Sequence, residues 1–377
     1  MSHVYDAVVI GLGGMGSAAV CALARRGERV LGIEQFDLGH DLGSSGAGIR
    51  IYRFAQFLDP AYVPLMRHAY QHWARLERDA DEQLLFRTGG LDIGPPKGEV
   101  VSGSKHACAL HGLPHEVLTA KETMRRFPAW SLPSGVEAVY QPDAGYLPAD
   151  RAVFAHIRVA MRLGAEVHAR ETATRITEAR DHAVVETSRG HYEARQVILT
   201  TGPWATDWAT SIAARVVPER QVVGWFAPRT TDLFQRDRFP VFITEDETGF
   251  HYGFAEHDRP GVKLGRHGHR NEPTTPHDIR RDIDAGDEAV LTRFTQRYFG
   301  ARLGGALMLK TCLYTNTPDN HFVIDRLAGH AHTWLAAGFS GHGYKFCAGI
   351  GEILADLAID GRTAQDISLF KAARLTR

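Results

Sequence analysis

Residues 6–34 read DAVVIGLGGMGSAAVCALARRGERVLGIE. Val8, Val9 and Ile10 are a β-branched run that predicts a buried parallel strand. It leads into Gly11, Gly13 and Gly16 at GxGxxG spacing, then into an Ala-rich segment that predicts a helix ended by Gly27. A second strand, from Val30 to Ile33, delivers Glu34. In such a unit the first glycine permits the tight turn, the second lets backbone approach a pyrophosphate, and the third lets helix and strand pack closely. The helix N-terminus offers free N–H groups and the positive end of its dipole to phosphates. Glu34 stands where a carboxylate can accept hydrogen bonds from an adenosine ribose. A glycine-rich turn that holds nothing is the bland alternative, and the flanking strand, helix and acid weigh against it together. An acid here argues against a 2′-phosphate, so the unit predicts FAD or NAD.

The remaining composition narrows the setting. The chain has 377 residues and is 44% hydrophobic, long enough for two domains. A net charge of −1 gives no electrostatic case for nucleic acid or an anionic membrane. No apolar run reaches transmembrane length, and the first strand begins without a charged-then-apolar leader. Cys21, Cys108, Cys312 and Cys347 are scattered without a CxxC pair, which suits a reducing cytoplasm better than a disulfide framework or zinc site. His267 and His269 lack the helical spacing or adjacent carboxylate of a metal site and read as a solvated or locally satisfied pair, so no metal is expected.

Outward from Glu34, Gly43, Ser44, Ser45, Gly46 and Gly48 make a second flexible loop able to wrap a long cofactor. Arg50 and Arg53 follow three apart; on a helix they would share a face. A solvated basic face and a functional pair are equally open readings from spacing alone. Helical periodicity marks 61–80 through Tyr62, Leu65, Met66, Ala69, Trp73 and Leu76. Thr119 and Glu122 form a capping-box pattern, and a helix is expected from about Pro148 to Leu163. Short strands are expected around Val167, Ile176 and Val185, and a buried strand over 196–202. From 221 to 313 alternating segments (VVGWF, PVFIT, FHYGF, VKLGRH) predict an antiparallel sheet, interrupted by a charged helix around 278–298. The final part returns to the first unit: WLAAGF as a strand, SGHG as a loop, KFCAGIGEILADLAI as a helix stopped by Gly361.

Two late segments, LKTCLYTNTPDNHFVID and AAGFSGHGYKF, sharpen the reading. With GLGGMG, RIYR, TGPW, HYGF and KLGRH, they make the chain resemble the monomeric sarcosine oxidases and N-methyltryptophan oxidases of the glycine/D-amino-acid oxidase superfamily, nearly end to end. The glycine fingerprint is generic; CLYT together with GFSGHGYKF is specific. The resemblance implies an α/β fold, with a glutathione-reductase-like FAD-binding domain from 1–84, 146–220 and 318–377. It implies an antiparallel-sheet substrate domain from 85–145 and 221–317. It implies FAD attached covalently through Cys312, since a thiolate can attack an electrophilic flavin methyl position; Cys21, Cys108 and Cys347 read as buried structural cysteines. The implied cofactor contacts are Gly11, Gly13, Gly14, Met15, Gly16, Glu34, Gln35, Gly43, Ser44, Arg50, Thr201, Gly202, Trp204, Cys312, Gly341, His342, Gly343 and Lys345.

For catalysis the resemblance implies that Arg53 and Lys345 hold a substrate carboxylate, suited to a guanidinium fork and a point charge. Lys263 is implied beside the flavin where oxygen is reduced. Arg50, Tyr252, His267 and Tyr314 are implied around the ring or substrate. The expected reaction is oxidation of small secondary α-amino acids, sarcosine-like, to imines, with O2 reduced to hydrogen peroxide, by a cytoplasmic monomer. Alternatives are an enzyme acting on primary or cyclic amino acids, or a flavin-binding protein without turnover. Where the family has GSHHGDTR this chain reads GSSGAGIR, so Gly46 and Ile49 replace a histidine and a threonine. Ile243 replaces a methionine. These departures bear on which substrate is preferred.

Overall fold

The computed structural model describes residues 4–257 and 259–375. Its first sheet is built outward from the strand Tyr5–Ile10, which pairs in parallel with Val30–Ile33 on one side and with Gly190–Leu199 on the other. Val30–Ile33 continues in parallel to Glu166–His168, and Gly190–Leu199 continues to Thr333–Ala337, with Val323–Arg326 antiparallel beyond it. An antiparallel hairpin, Ala173–Glu178 and Ala183–Thr187, joins the near half of Gly190–Leu199. Chain start, middle and end therefore meet in one sheet. The expected strands at Val167, Ile176 and Val185 all form.

Four helices, Gly14–Arg25, Tyr62–Ala80, Ala149–Arg162 and Cys347–Asp360, pack together beside this sheet. Val20, Leu23, Met66, Trp73, Ile157 and Ile350 belong to one buried cluster there. The first and last of these helices cross closely at Gly351, where a Cβ would stand 2.5 Å from the Ala18 backbone. Two of the helices end as the sequence predicts, at Arg162 and at Gly361 in a left-handed conformation (φ 68°).

A second, nine-stranded sheet carries the expected texture. Val217–Pro228 pairs antiparallel with Leu303–Asn316 along one edge and with Val262–Arg266 along the other; Gly249–Phe254 and Val241–Asp246 follow, also antiparallel. One pair departs from the antiparallel expectation. Val241–Asp246 runs parallel to Gly90–Gly94, a strand delivered from far earlier in the chain, so no hairpin dictates its direction. Glu137–Gln141, Glu116–Thr119 and the short Glu272–Pro273, which pairs with Val217–Pro228, complete the sheet. The long strand already pairs Val217 with Asn316, so the boundary expected at 220 falls inside one strand. An aromatic core including Trp130, Phe226, Phe242 and Phe299 lies against this sheet with the helix Ala285–Tyr298.

That helix starts later than the expected 278. Asp284 Oδ1 accepts from the Asp287 amide (2.8 Å) and Asp287 Oδ2 accepts from the Asp284 amide (3.1 Å), a reciprocal cap that fixes the first turn there. The Thr119 and Glu122 cap forms as read. Arg50 is not on a helix: it lies in the strand Ile49–Tyr52, which pairs with Gly145–Pro148 in a three-stranded sheet with Phe86–Arg87. No helix among the described residues is long and apolar enough to cross a membrane.

Candidate active site

The carboxyl ends of the parallel strands open onto a crevice of about 360 Å³. Its floor is the glycine turn. Gly11 has φ 89°, and a Cβ there would lie 2.8 Å from the Thr200 carbonyl oxygen. A Cβ on Gly16 would lie 1.9 Å from the Gly11 carbonyl oxygen, so Gly16 packs behind the turn while Gly13, Gly14 and Met15 face the crevice. The serine loop reaches the helix start, where the Gly14 amide donates to Ser45 Oγ (2.9 Å). Gln35, Gly43, Ser44 and Arg50 line the same space, as do Thr201, Gly202 and Trp204 from the far side.

Glu34 is 4% exposed and lies on this wall. Its Oε2 accepts from the Leu12 amide (2.8 Å), its Oε1 accepts from the Phe36 amide (3.0 Å), and His40 Nε2 stands 3.4 Å away. Burial opposes the Glu34 charge, but His40 and the two amides outweigh it and hold the carboxyl below its usual range. The carboxylate thus closes its own turn as well as facing the crevice. Ser44 Oγ and Thr201 Oγ1, both buried, have no hydrogen-bond partner among the described residues. An elongated crevice with a helix N-terminus, a carboxylate and two unpartnered hydroxyls fits a dinucleotide such as FAD.

A second cavity of about 170 Å³ adjoins the first across Ser44, Arg50, Tyr314, Gly341 and Tyr344. Arg53, Tyr252, Lys263, His267, Cys312, His342 and Lys345 line it. Gly343 lies on the first crevice. Every residue anticipated for catalysis therefore borders one space, although the side chains come from segments far apart in sequence. Arg53 is 6% exposed, which ends the solvated-face reading. The strand Ile49–Tyr52 orients Arg50 instead, and Arg50 donates to the carbonyls of Ser44 (3.0 Å), Ile49 (3.2 Å) and Gly46.

Lys263 is buried and donates to the carbonyls of Ala47 (2.7 Å) and Ile49 (2.8 Å), with its Nζ 4.9 Å from the centre of the Phe254 ring. Burial, then Arg50, lowers its pKa well below normal. Lys345 donates to the His342 carbonyl (2.7 Å), and its pKa is lowered well below normal by burial and then by Arg53. His267 is pulled down to about 4 by burial, so its imidazole is neutral at pH 7. Tyr252 is pushed up to about 12, chiefly by burial, and Tyr314 is raised well above normal for the same reason; their hydroxyls lie 3.4 Å apart.

Cys312 sits opposite Gln221 on the long strand pair and is 6% exposed. Burial raises its thiol pKa, while Arg50 and Lys263 pull it the other way. Cys21 and Cys108 are buried, and burial pushes their thiols up to about 11 and about 12. Cys347 is buried too, yet it borders the cofactor crevice beside Tyr344. The pair His267 and His269 is not solvated: His267 borders the cavity, and His269 is fully buried with Nε2 3.3 Å from Asp287 Oδ1. Among the described residues no cluster of His, Cys, Asp and Glu is placed to hold a metal.

The departures at 46, 49 and 243 have distinct settings. Gly46 has no room for a side chain, since its Cβ would meet Asp41 Cα at 2.6 Å. Ile49 packs in an apolar cluster with Tyr146, Val241 and Phe254. Ile243 borders the second cavity with Phe57 and Phe250, whose rings meet edge-on at 5.7 Å. Ser45 was anticipated only as part of a cofactor-wrapping loop and Cys347 only as a structural cysteine, while Tyr344 and Asp92 were given no role. The first three lay inside quoted glycine segments, whereas Asp92 carried no local signal.

The chain has relatives along its whole length. Residues 6–357 match the family described as FAD dependent oxidoreductase. A monomeric sarcosine oxidase of Streptomyces avermitilis is 40% identical over 380 aligned residues, covering 100% of this chain and 99% of that protein. The N-methyl-L-tryptophan oxidase of Escherichia coli is 31% identical, covering 98% and 99%. Among solved structures, NikD, an unusual amino acid oxidase essential for nikkomycin biosynthesis, superposes with a TM-score of 0.84 at 24% identity over 98% of both chains. L-proline dehydrogenase from P. horikoshii superposes with a TM-score of 0.84 at 22% identity, over 99% and 98%. At these identities the two structures bear on the fold alone.

Glu34 gives a direct check of the crevice. In a Cys312→Ser background, where no thioether can form at that position, Glu34→Gln is expected to weaken FAD binding roughly tenfold, because charge-assisted hydrogen bonds become neutral ones. Fluorescence titration of the apoprotein measures this, and unchanged affinity would remove Glu34 from the cofactor site.

Proposed function

The chain belongs to the FAD-dependent oxidoreductase family, and we propose that it is an amine oxidase acting on N-methyl or other secondary α-amino acids. One observation carries this reading: Arg53 and Lys345, two buried cations, border the small cavity that adjoins the cofactor crevice. Such a pair recognises a carboxylate, the guanidinium through a fork and the ammonium as a point charge. Neutral His267, Tyr252 and Tyr314 add polar groups to the wall without adding negative charge. The cations already present raise the cost of a further positive charge, so the substrate amine is favoured in its neutral form, the form that can release electrons.

FAD, held at Glu34, at the backbone of Gly13 to Met15 and at the segment Gly341 to Gly343, would supply the two-electron acceptor. Lys263 is the group we assign to oxygen reduction. Its two carbonyl acceptors and the Phe254 face favour the ammonium against the cost of burial, and a fixed cation lowers the barrier to placing negative charge on dioxygen. Hydrogen peroxide is the product that follows. We further propose a thioether between Cys312 and FAD, supported by the place of this thiol on the second cavity, where the charges of Arg50 and Lys263 oppose the rise of its pKa, and a cytoplasmic monomer. The same reading divides the chain into a cofactor domain, 1–84, 146–220 and 318–377, and a substrate domain, 85–145 and 221–317, which the two sheets follow apart from the start of the strand at Val217.

Peroxide release tests the function as a whole. Sarcosine and N-methyl amino acids should outpace proline, pipecolate, glycine and D-amino acids; activity confined to primary or cyclic amino acids would contradict the proposal. For the covalent link, acid precipitation should leave the yellow colour in the pellet, and Cys312→Ser should send it to the supernatant. A native protein that loses all its flavin on denaturation has no such bond. For Lys263, the variant Lys263→Met should slow flavin reoxidation in stopped flow by roughly a hundredfold or more, with anaerobic reduction by substrate falling much less. Equal losses in both halves would indicate general disruption rather than a role with oxygen.

A further inference from the structure

Asp92 is a buried carboxylate behind the second cavity for which the reading above assigns no role. It is 1% exposed, in the middle of the strand Gly90–Gly94. Its Oδ2 accepts from Ser104 Oγ (2.6 Å), Gln141 Nε2 (2.8 Å) and Arg53 Nη1 (3.3 Å). The same guanidinium nitrogen donates to the Ala55 carbonyl, and Gln141 Oε1 accepts from the Ala55 amide (2.9 Å). Ser104, from the helix Glu99–His111, and Gln141 thus fix Asp92, which with the Ala55 carbonyl holds one nitrogen of Arg53. Arg53 Nε and Nη2 form no hydrogen bond with the described residues, while Arg53 borders the cavity. One edge of the fork is pinned and the other is left for a ligand.

Two buried cations on one small cavity strongly oppose each other's charge unless an anion stands beside them. Among the described residues, the only ion pair made by either Arg53 or Lys345 is Arg53 with Asp92. We propose that Asp92 is a positioning residue for the substrate carboxylate: it pins Arg53 and is the fixed counter-charge that allows Arg53 and Lys345 to be cationic together. The incoming carboxylate then completes a set of two cations and two anions. This rests on the reading of Arg53 and Lys345 as the carboxylate clamp.

The charges around Lys345 give the sign of the effect. Burial lowers the Lys345 pKa, Arg53 lowers it further, and Asp92 opposes them. Burial pushes the Asp92 carboxyl up; the Arg53 charge opposes this first, then Ser104 and Gln141. His342 and His267 are held neutral by burial, as is His251, pulled down to about 4. Arg50 adds positive charge to the same cavity, and Glu99 is an exposed carboxylate on it. Phe346 supplies a ring face 4.8 Å from Lys345 Nζ. Without Asp92, Lys345 loses its proton at lower pH. Carboxylate binding, which needs the ammonium, then fails earlier as pH rises.

The test is acetate binding to the holoenzyme, followed by the flavin absorbance change across pH. Asp92→Asn should weaken acetate roughly tenfold or more, and the pH at which binding is lost should fall by about one unit. The KM for sarcosine should rise in parallel while kcat changes much less. Asp92→Asn combined with Ser104→Asp returns a carboxylate one side chain away and should restore part of the affinity and of the pH profile. Folded Asp92→Asn protein with native acetate affinity and an unmoved pH profile would overturn the proposal. If that variant does not fold, Ser104→Ala decides: it keeps the charge and loosens its hold, so acetate should weaken about threefold with the pH profile in place, and native affinity would overturn the proposal. A native enzyme that binds no acetate at all would instead overturn the carboxylate clamp on which the inference rests.

Discussion

Burying an ammonium or guanidinium is costly unless an anion or well-placed oxygen atoms surround it, and this protein buries three such groups around one small space. Arg53, Lys263 and Lys345 are each 6% exposed or less. Lys263 is held by the carbonyls of Ala47 and Ile49, Lys345 by that of His342, and Arg53 by Asp92 and the Ala55 carbonyl. These partners explain much of the architecture. Residue 47 has a positive φ (66°) although it is alanine, and its carbonyl is one of the two that receive Lys263. The strand pairing of Ile49 with Pro148 fixes the second carbonyl. On the proposed reading, the anion that completes this set is the substrate carboxylate.

The two sheets serve that arrangement differently. The parallel sheet collects the chain's start, middle and end, so the glycine turn, the segment 200–204 and the loop 338–343 face the same crevice. The second sheet presents Tyr252 and Lys263 from two adjacent strands, and Cys312 and Tyr314 from a third that lies one strand further on, beyond Val217–Pro228. Arg50 and Tyr314 border both cavities, so the two parts of the site share walls rather than merely lying close.

The βαβ opening was legible because its signals are local: a β-branched run, glycines at fixed spacing and an acid at the end of the next strand. Lys263, Arg53 and Lys345 were singled out through the specific segments that contain them, not through periodicity, and the fold brings all three to one cavity. Arg50 and Arg53 show the limit of spacing, since three residues cannot distinguish a helical period from a strand, and pairing with Gly145–Pro148 decided it. The helix expected from 278 begins at Ala285 because an Asp284 and Asp287 cap outweighs the charged residues before it. Asp92 was illegible for a different reason. Its partners Arg53, Ser104 and Gln141 lie 39, 12 and 49 residues away, and only the folded chain brings them together.

The proposed substrate is an amine anchored by its carboxylate next to the flavin, and anaerobic mixing of the yellow protein with sarcosine, set beside sarcosine amide, separates the two parts of that proposal. Sarcosine should bleach the oxidised flavin spectrum at low concentration, whereas the amide, which has the same N-methyl group but no carboxylate, should require roughly a hundredfold more or fail. Equal bleaching by both would contradict the carboxylate anchor, and bleaching by neither would contradict the amine oxidase itself.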